Sequence, residues 1–426
     1  MTDLKNKKIT LVGYGASNRA MCDFLMAQGI FPTIRNRERT KTPHGCTLIC
    51  ENYLEVCEDI AVRSPVIRPD RISAGAQVFC EAGYALDLAR AHKIGISGSD
   101  GKTTTSTLIY NMLCQGGYGA YLCGNIGTPV ITYAPSAREN EYLVCELSSF
   151  QLIDMSPRLD VAVLTNITQN HLDWHTDMNE YIEAKKRLIC GARHAVLCYD
   201  DPILRTLDAK NSVLTYFTLE NMPRATGAEH IVYVRDGYIW HDSHKIVPLD
   251  KIALKGKFNI LNIEASIGAL ATLVDTEAIC SVVRGFSGVD SRMKFIRTVG
   301  GVSFIDSSID STPSRTLATV SAFDKAKCVL ILGGYDKNLS YECLRALEGI
   351  RGAVIFGANA QKIHSAIADI CRCERASTLD EATRVAYALA RDGDFVILSP
   401  ASASFDMFKD YKERSKKFNL AVRGIK

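Results

Sequence analysis

Nowhere in the 426 residues does an apolar run reach the roughly 18 residues of a membrane span, and no apolar stretch of signal-peptide length precedes the first strand-like segment. Neither a transmembrane helix nor a secretory leader is expected on that ground, and a cytoplasmic location is expected. Net charge is scarce as well: 50 basic against 47 acidic residues leave +3, with no long basic run. That excludes the electrostatic footprint of a nucleic-acid or membrane-surface binder and leaves small charged molecules as the expected partners. Internal repeats and low-complexity stretches are missing, and a composition of 47% hydrophobic and 23% charged residues excludes a largely disordered or collagen-like chain. The 15 cysteines lack any repeating spacing. Cys123, Cys145, Cys198 and Cys328 sit inside apolar runs that read as buried strands, the reduced, packing use of the residue. Cys371 and Cys373 have neither the spacing nor the partners of a zinc site, so no structural zinc is expected.

The chain is too long for one hydrophobic core, and three α/β domains are expected, at residues 1–88, 89–286 and 287–426. The first opens with a strand at 8–13, a Gly13-Tyr14-Gly15-Ala16-Ser17-Asn18 turn and a helix that ends near Gly29, with a second strand at 32–35. In the second, a strand at 93–97 leads to a helix at 103–114 closed by Gly116 and Gly117, and strands follow at 142–145, 161–166 and 195–198. Strands alternating with helices predict a mostly parallel sheet. Asp236-Gly237 between β-formers predicts a hairpin over 231–240, an antiparallel flank of that sheet. After a break at 285–292, strands at 302–305, 328–332, 353–356 and 395–398 predict a third α/β domain.

The segment Gly98-Ser99-Asp100-Gly101-Lys102-Thr103-Thr104 lies between a strand and a helix, where backbone N–H groups and the helix dipole hold phosphates. It is a shortened form of the phosphate-loop pattern, since Ile96 stands where the full pattern has glycine. Lys102 would then neutralise β- and γ-phosphates and the Thr103 hydroxyl would reach magnesium. The plain alternative is a Gly-rich turn capping a helix. Gly13 and Gly15 suggest a dinucleotide turn, but Asn18 replaces the third glycine, and Arg35 and Arg37 stand where a ribose-binding acid would be expected. Two arginines beside such a turn suit a diphosphate.

Glu146, Ser148 and Ser149 follow an apolar strand, and a carboxylate there can share magnesium with Thr103. The two serines can also simply cap a helix. The segment Asn166 to Asp173 follows another strand, and its His171 and Asp173 could position substrate or metal. Lys185 and Lys186 are adjacent on a helix, about 100° apart around its axis, so at most one of them should face a site.

Taken together, GSDGKTT at 98–104, GNIGTP at 124–129, ELSSFQL from Glu146, NHLD from Asn170 and the C-terminal LSPASASFDMF resemble the Mur ligases, in their D-glutamate-adding branch. The resemblance covers nearly the whole chain. It implies a Rossmann-like N-terminal domain for a UDP-sugar, a central P-loop ATPase-like domain and a Rossmann-like C-terminal domain for the amino acid. It also implies ATP, two Mg2+ sites and peptide-bond formation between UDP-N-acetylmuramoyl-L-alanine and D-glutamate through an acyl phosphate, by a monomer in peptidoglycan precursor synthesis.

Residue by residue, the resemblance makes Gly98 to Thr104 the ATP loop and sets Thr103 and Glu146 on one magnesium. It places Asn125, Ser148 and His171 around the substrate and second metal, and makes Lys185 a carbamylated metal ligand. Asn259 and Asn262 stand at the adenine, and Arg292, beyond a hinge that lets the domains close, stands at the phosphates. Lys337, Ser404, Phe405 and Tyr411 hold D-glutamate, and Ser17 and Arg37 take the uridine-diphosphate end. The chain departs from the family where Asn-Asp-Ser-Lys is common: Asp306-Ser307-Ser308-Ile309 stands there, so either Asp306 or Asp310 takes over the missing aspartate's contact or nucleotide-coupled closure works differently. Three other readings are a related ATP-dependent amide ligase, such as another Mur ligase or a folylpolyglutamate synthetase, a nucleotide-binding scaffold, favoured only by Ser307 and Ile309, and a dehydrogenase, opposed by Asn18.

Overall fold

The computed structural model describes residues 4–73, 75–172, 174–209, 212–220, 227–254, 256–337 and 339–425. The chain divides into two compact units, Met1–Ala253 with Phe258–Phe286, and Leu254–Lys257 with Ser287–Lys426. No helix among the described residues is long and apolar enough to cross a membrane.

The first unit holds two sheets. Strands β1 (Ile9–Val12), β2 (Thr33–Arg35), β3 (Thr47–Ile49), β4 (Ile60–Arg63) and β5 (Gln77–Cys80) are parallel, in the order β3-β2-β1-β4-β5. The order reverses between β1 and β4, and there the Gly13 turn leads into helix Ala16–Met26. Asn18 explains the lost third glycine: its buried Nδ2 donates to the carbonyls of Val12 (3.1 Å), Gly13 (2.7 Å) and Val62 (3.0 Å), tying β1, the turn and β4 together.

The central sheet contains β6 (His92–Ser97), β7 (Ala120–Gly124), β8 (Tyr142–Glu146), β9 (Val161–Leu164), β10 (His194–Cys198), β11 (Val213–Thr218), β12 (His230–Arg235), β13 (Tyr238–His241) and β14 (His244–Pro248). Its order is β14-β13-β12-β11-β10-β9-β6-β8-β7. Strands β7 to β12 run parallel and β12, β13 and β14 antiparallel, so the expected flank is present. Asp236 and Gly237 both take positive φ (+49° and +74°), the pairing that a two-residue turn needs to match strand twist. The order switches at β6, with β8 on one side and β9 on the other, which opens the crevice where α/β sheets bind ligands.

The second unit carries β15 (Lys294–Val299), β16 (Val302–Asp306), β17 (Cys328–Gly333), β18 (Gly352–Phe356), β19 (Cys373–Arg375) and β20 (Phe395–Leu398), in the order β15-β16-β20-β17-β18-β19. Only β15 is antiparallel to its neighbour. Alternate residues of β17 feed opposite faces: Leu330 and Leu332 pack with Ile355 and Ile363, while Val329 and Ile331 pack with Val354 and Phe418. The α/β class and the three mostly parallel sheets are those expected from the sequence. All 15 cysteines are free, and Cys123, Cys145, Cys198 and Cys328 are buried.

Candidate active site

The phosphate loop leaves the carboxyl end of β6 and enters helix Lys102–Gln115. Its glycines are fixed by crowding as well as by backbone angle. A Cβ on Gly98 (φ +146°) would stand 1.9 Å from Thr165 Oγ1, and one on Gly101 (φ +80°) would stand 2.2 Å from Asn262 Oδ1. The segment after β9 braces the loop: Ser99 N donates to Asn166 O (2.8 Å), Asp100 N to Asn166 Oδ1 (2.9 Å), and Thr168 N to Ser99 Oγ (2.9 Å). The Asp100 side chain is exposed. Ile96 is buried within β6, one strand residue ahead of the loop.

Five residues singled out from sequence converge here. Glu146, at the end of β8 and 2% exposed, accepts from Thr103 Oγ1 at 2.7 Å and Asn125 Nδ2 at 2.9 Å, so hydroxyl, amide and carboxylate form one cluster. Lys102 Nζ donates to the carbonyls of Gly98 (2.7 Å) and Ser99 (2.8 Å). Lys185 Nζ donates to the same Gly98 oxygen at 2.7 Å and to Ser97 Oγ at 3.3 Å. Helix geometry separates the two adjacent lysines: Lys185 is 2% exposed and lies 4.8 Å over the Tyr181 ring, while Lys186 turns outward to Glu183. Burial, and then the neighbouring Lys102 charge, drive the Lys185 pKa well below the usual lysine range.

Asn259 and Asn262, both buried on helix Lys257–Leu270, stand beside the loop, with Asn262 Oδ1 accepting from Thr105 Oγ1 at 3.3 Å. Ser148 caps the short helix Ser149–Leu152 in a capping box with Gln151, so the helix-cap alternative for this serine holds. His171 has φ +56° and is exposed, its ring edge-on to Phe150 at 4.9 Å. Asp173 lies outside the described residues.

Sequence reasoning missed His175, which is buried with Nε2 2.9 Å from Ser149 Oγ and Nδ1 3.0 Å from Glu180. It missed two bracing arginines as well. Arg63, fully buried at the end of β4, forks onto Asp154 with two 2.6 Å bonds and donates to the Phe150 carbonyl at 2.7 Å. Arg68 binds Glu180 at 2.8 and 2.9 Å and the Trp174 carbonyl at 2.9 Å, and the pairing holds the Glu180 carboxyl down at about 2. A basic residue closing an apolar strand, as in Val62-Arg63, was the available signal.

In the first sheet the paired-arginine expectation fails. Arg35 is buried 3.3 Å from Glu58 because β2 turns it inward, and Arg37 alone is exposed. Ser17 lies half-buried in the first turn of its helix.

In the second unit, Tyr335 N donates to Ala403 O at 2.8 Å, which sets the loops after β17 and β20 side by side. Lys337 is exposed on one of these loops; Ser404 is buried and Phe405 exposed on the other, with Phe405 6.3 Å from the Tyr335 ring. Tyr411 begins helix Tyr411–Gly424, and its carbonyl accepts from Ser308 Oγ at 2.9 Å. Arg292 is half-buried just before β15. Asp306 and Asp310 are both buried in bonds of this unit: Asp306 accepts from Ser415 and Asn419, and Asp310 from Thr319 and Ser399. Burial raises both carboxyl pKa values.

Residues 96–270 match the Mur ligase middle domain, and residues 291–402 match the Mur ligase glutamate ligase domain. A protein of Acetivibrio thermocellus named UDP-N-acetylmuramoylalanine--D-glutamate ligase is 35% identical, over 99% of this chain and 97% of its own length. One of the same name from Clostridium perfringens is 34% identical, over 99% and 98%. Among solved structures, a pseudomurein peptide ligase type C from Methanothermus fervidus and the UDP-N-acetylmuramate-alanine ligase of Thermotoga maritima each share the fold. Each has a TM-score of 0.60 at 17% identity and covers 99% of this chain and 100% of its own. With a crowded phosphate loop on β6, a carboxylate facing it from β8 and full-length relatives of one name, this chain belongs to the Mur ligase family.

Proposed function

We propose that the protein is an ATP-dependent peptide synthase that joins D-glutamate to UDP-N-acetylmuramoyl-L-alanine in peptidoglycan precursor synthesis. The observation that carries the reading is the convergence of Lys102, Thr103, Asn125, Glu146 and Lys185 on the carboxyl ends of β6 and β8. Residues 1–88 are taken as the UDP-sugar domain, with Ser17 and Arg37 at the diphosphate, 89–286 as the ATP domain, and 287–426 as the amino-acid domain.

A carboxylate resists attack by an amine at neutral pH. Transfer of the γ-phosphoryl from ATP to the L-alanyl carboxylate makes an acyl phosphate and leaves ADP, and the D-glutamate amine then forms the C–N bond, expels phosphate and releases a proton. In that scheme the Gly98 to Thr104 backbone amides and the start of helix Lys102–Gln115 hold the phosphates, and Lys102 offsets charge on the transferring group. Asn259 and Asn262 flank the loop on the adenine side, and Arg292 is assigned to the nucleotide. Lys337, Ser404, Phe405 and Tyr411 are assigned to D-glutamate. Ser148 and His171 line the acceptor side.

The residues present fit Mg2+: Thr103 and Glu146 are a hydroxyl and a buried carboxylate in contact, a hard oxygen pair. Bound there, the ion would polarise the phosphoryl oxygens. Lys185 fits carbamylation. Among the described residues its ammonium touches only a hydroxyl, a carbonyl and a ring face, and its depressed pKa favours the neutral amine that adds to CO2 with loss of a proton. The product would be an anion where the amino groups of Lys102 and Lys185 now share one carbonyl.

The test is phosphate release by the purified protein. Release is expected only when UDP-N-acetylmuramoyl-L-alanine and D-glutamate are both present; release with neither, or only with another amino acid, overturns the reading.

A further inference from the structure

The amino ends of β10 to β12 carry a row of imidazoles that the ligase reading leaves unused. His194 opens β10, with Nε2 2.8 Å from Thr215 Oγ1 on β11, and Thr215 is the register partner of His230 at the start of β12. His230 Nδ1 lies 2.8 Å from Asp242 Oδ2, in the turn between β13 and β14, and His241 Nε2 lies 3.9 Å from that same oxygen. One ligand atom from each of His230, His241 and Asp242 lies within 4.8 Å of the other two, the one such group found among the described residues.

We propose that His230, His241 and Asp242 form a binding site for a divalent transition ion of the zinc class, with water completing the coordination. Two imidazoles and a carboxylate are a borderline donor set that suits such an ion. Zinc bonds of about 2.0 to 2.1 Å place tetrahedral ligand atoms about 3.3 Å apart, and the 2.8 and 3.9 Å separations straddle that spacing.

The carboxylate is held in place from behind. Asp242 takes φ +51°, its N donates to Ile231 O at 2.8 Å, and its Oδ1 accepts from Ile231 N at 2.9 Å, which leaves Oδ2 to face the imidazoles. His241 is only 9% exposed, and its ring centroid is 5.4 Å from that of His230. The ion takes the place of the proton between His230 Nδ1 and Asp242 Oδ2. It fastens β12 to the β13–β14 turn, at the opposite strand ends from the phosphate loop.

The experiment uses the full chain, stripped with a chelator, equilibrated with zinc and dialysed before the metal is counted. The variants are Asp242→Asn, which keeps a residue tolerant of positive φ while removing the anionic ligand, and His230→Gln; circular dichroism checks that both fold. The wild type is expected to retain about one zinc per chain, with affinity at least tenfold above either variant, and to melt at a higher temperature with zinc than without. Cobalt substitution is expected to give tetrahedral visible bands without thiolate charge transfer.

Equal zinc retention in wild type and both variants overturns the proposal. A thiolate charge-transfer band overturns it as well. That band would assign the ion to sulfur, at Cys371 and Cys373 (3.7 Å apart) or at the Cys22, Cys46 and Met26 cluster, whose sulfurs lie 3.9 Å from one another.

Discussion

Glu81 makes stability depend on pH in a direction that the fold dictates. It is fully buried in helix Glu81–Leu88, with Oε1 2.6 Å from Ile131 N and Oε2 without a hydrogen-bond partner among the described residues. Burial pushes its carboxyl from the usual 4.5 up to about 7. Between those two values the folded chain keeps a proton that the unfolded chain has lost. The associated stability is therefore full below about pH 4.5, declines as pH rises and is gone above about 7. A shift of roughly 2.5 units corresponds to about 3 kcal/mol, most of it lost between about pH 4.5 and 7.

Glu81→Gln cannot ionise, so the stability difference between wild type and variant should move by about that amount over this range, in the variant's favour at high pH. The assay is urea unfolding followed by tryptophan fluorescence, which reports the first unit because both tryptophans, Trp174 and Trp240, lie in it. Parallel pH profiles for the two proteins would refute the argument. The effect bears on function, because Glu81 anchors the turn Val130–Thr132, which follows the Gly124 to Pro129 segment carrying Asn125.

Lys185→Ala is expected to abolish ligation, with partial return on adding a short carboxylic acid; an unchanged rate would remove the carbamate from the scheme. Gly98→Ala should lose nucleotide binding by equilibrium dialysis, because its Cβ would fall 1.9 Å from Thr165 Oγ1. Arg63→Met should destabilise the first unit by about 3 to 5 kcal/mol in the same urea assay, since it leaves the Asp154 carboxylate without its buried partner. Arg63→Met with Asp154→Leu should recover part of that loss.

Much of the candidate site was legible because its signals are local. Gly98, Gly101, Lys102 and Thr103 sit in one turn, and Glu146 ends a strand recognisable from its own apolar run. The sequence narrowed Lys185 and Lys186 to one inward residue, and packing chose between them. What escaped was pairing at long range: Arg63 meets Asp154 across 91 positions and Arg68 meets Glu180 across 112, and neither partner carries a local mark. Arg35 was misread for the same reason, since its partner Glu58 lies 23 residues away. Strands such as β3 and β19, neither with a buried residue, and the edge strand β15, with its exposed Phe295, lacked the apolar run that makes a strand stand out.

Asn18 also limits what the N-terminal turn can become. In a dinucleotide enzyme the third glycine gives helix and strand room to approach closely. Here one amide performs the joining, with three carbonyls, from β1, β4 and the turn that follows β1, directed at its nitrogen. Asn18→Gly would not make a cofactor site; it would remove the three bonds that tie β1, the turn and β4 together. The turn thus keeps the strand-order switch of a nucleotide-binding sheet while a single side chain takes up the space beneath it.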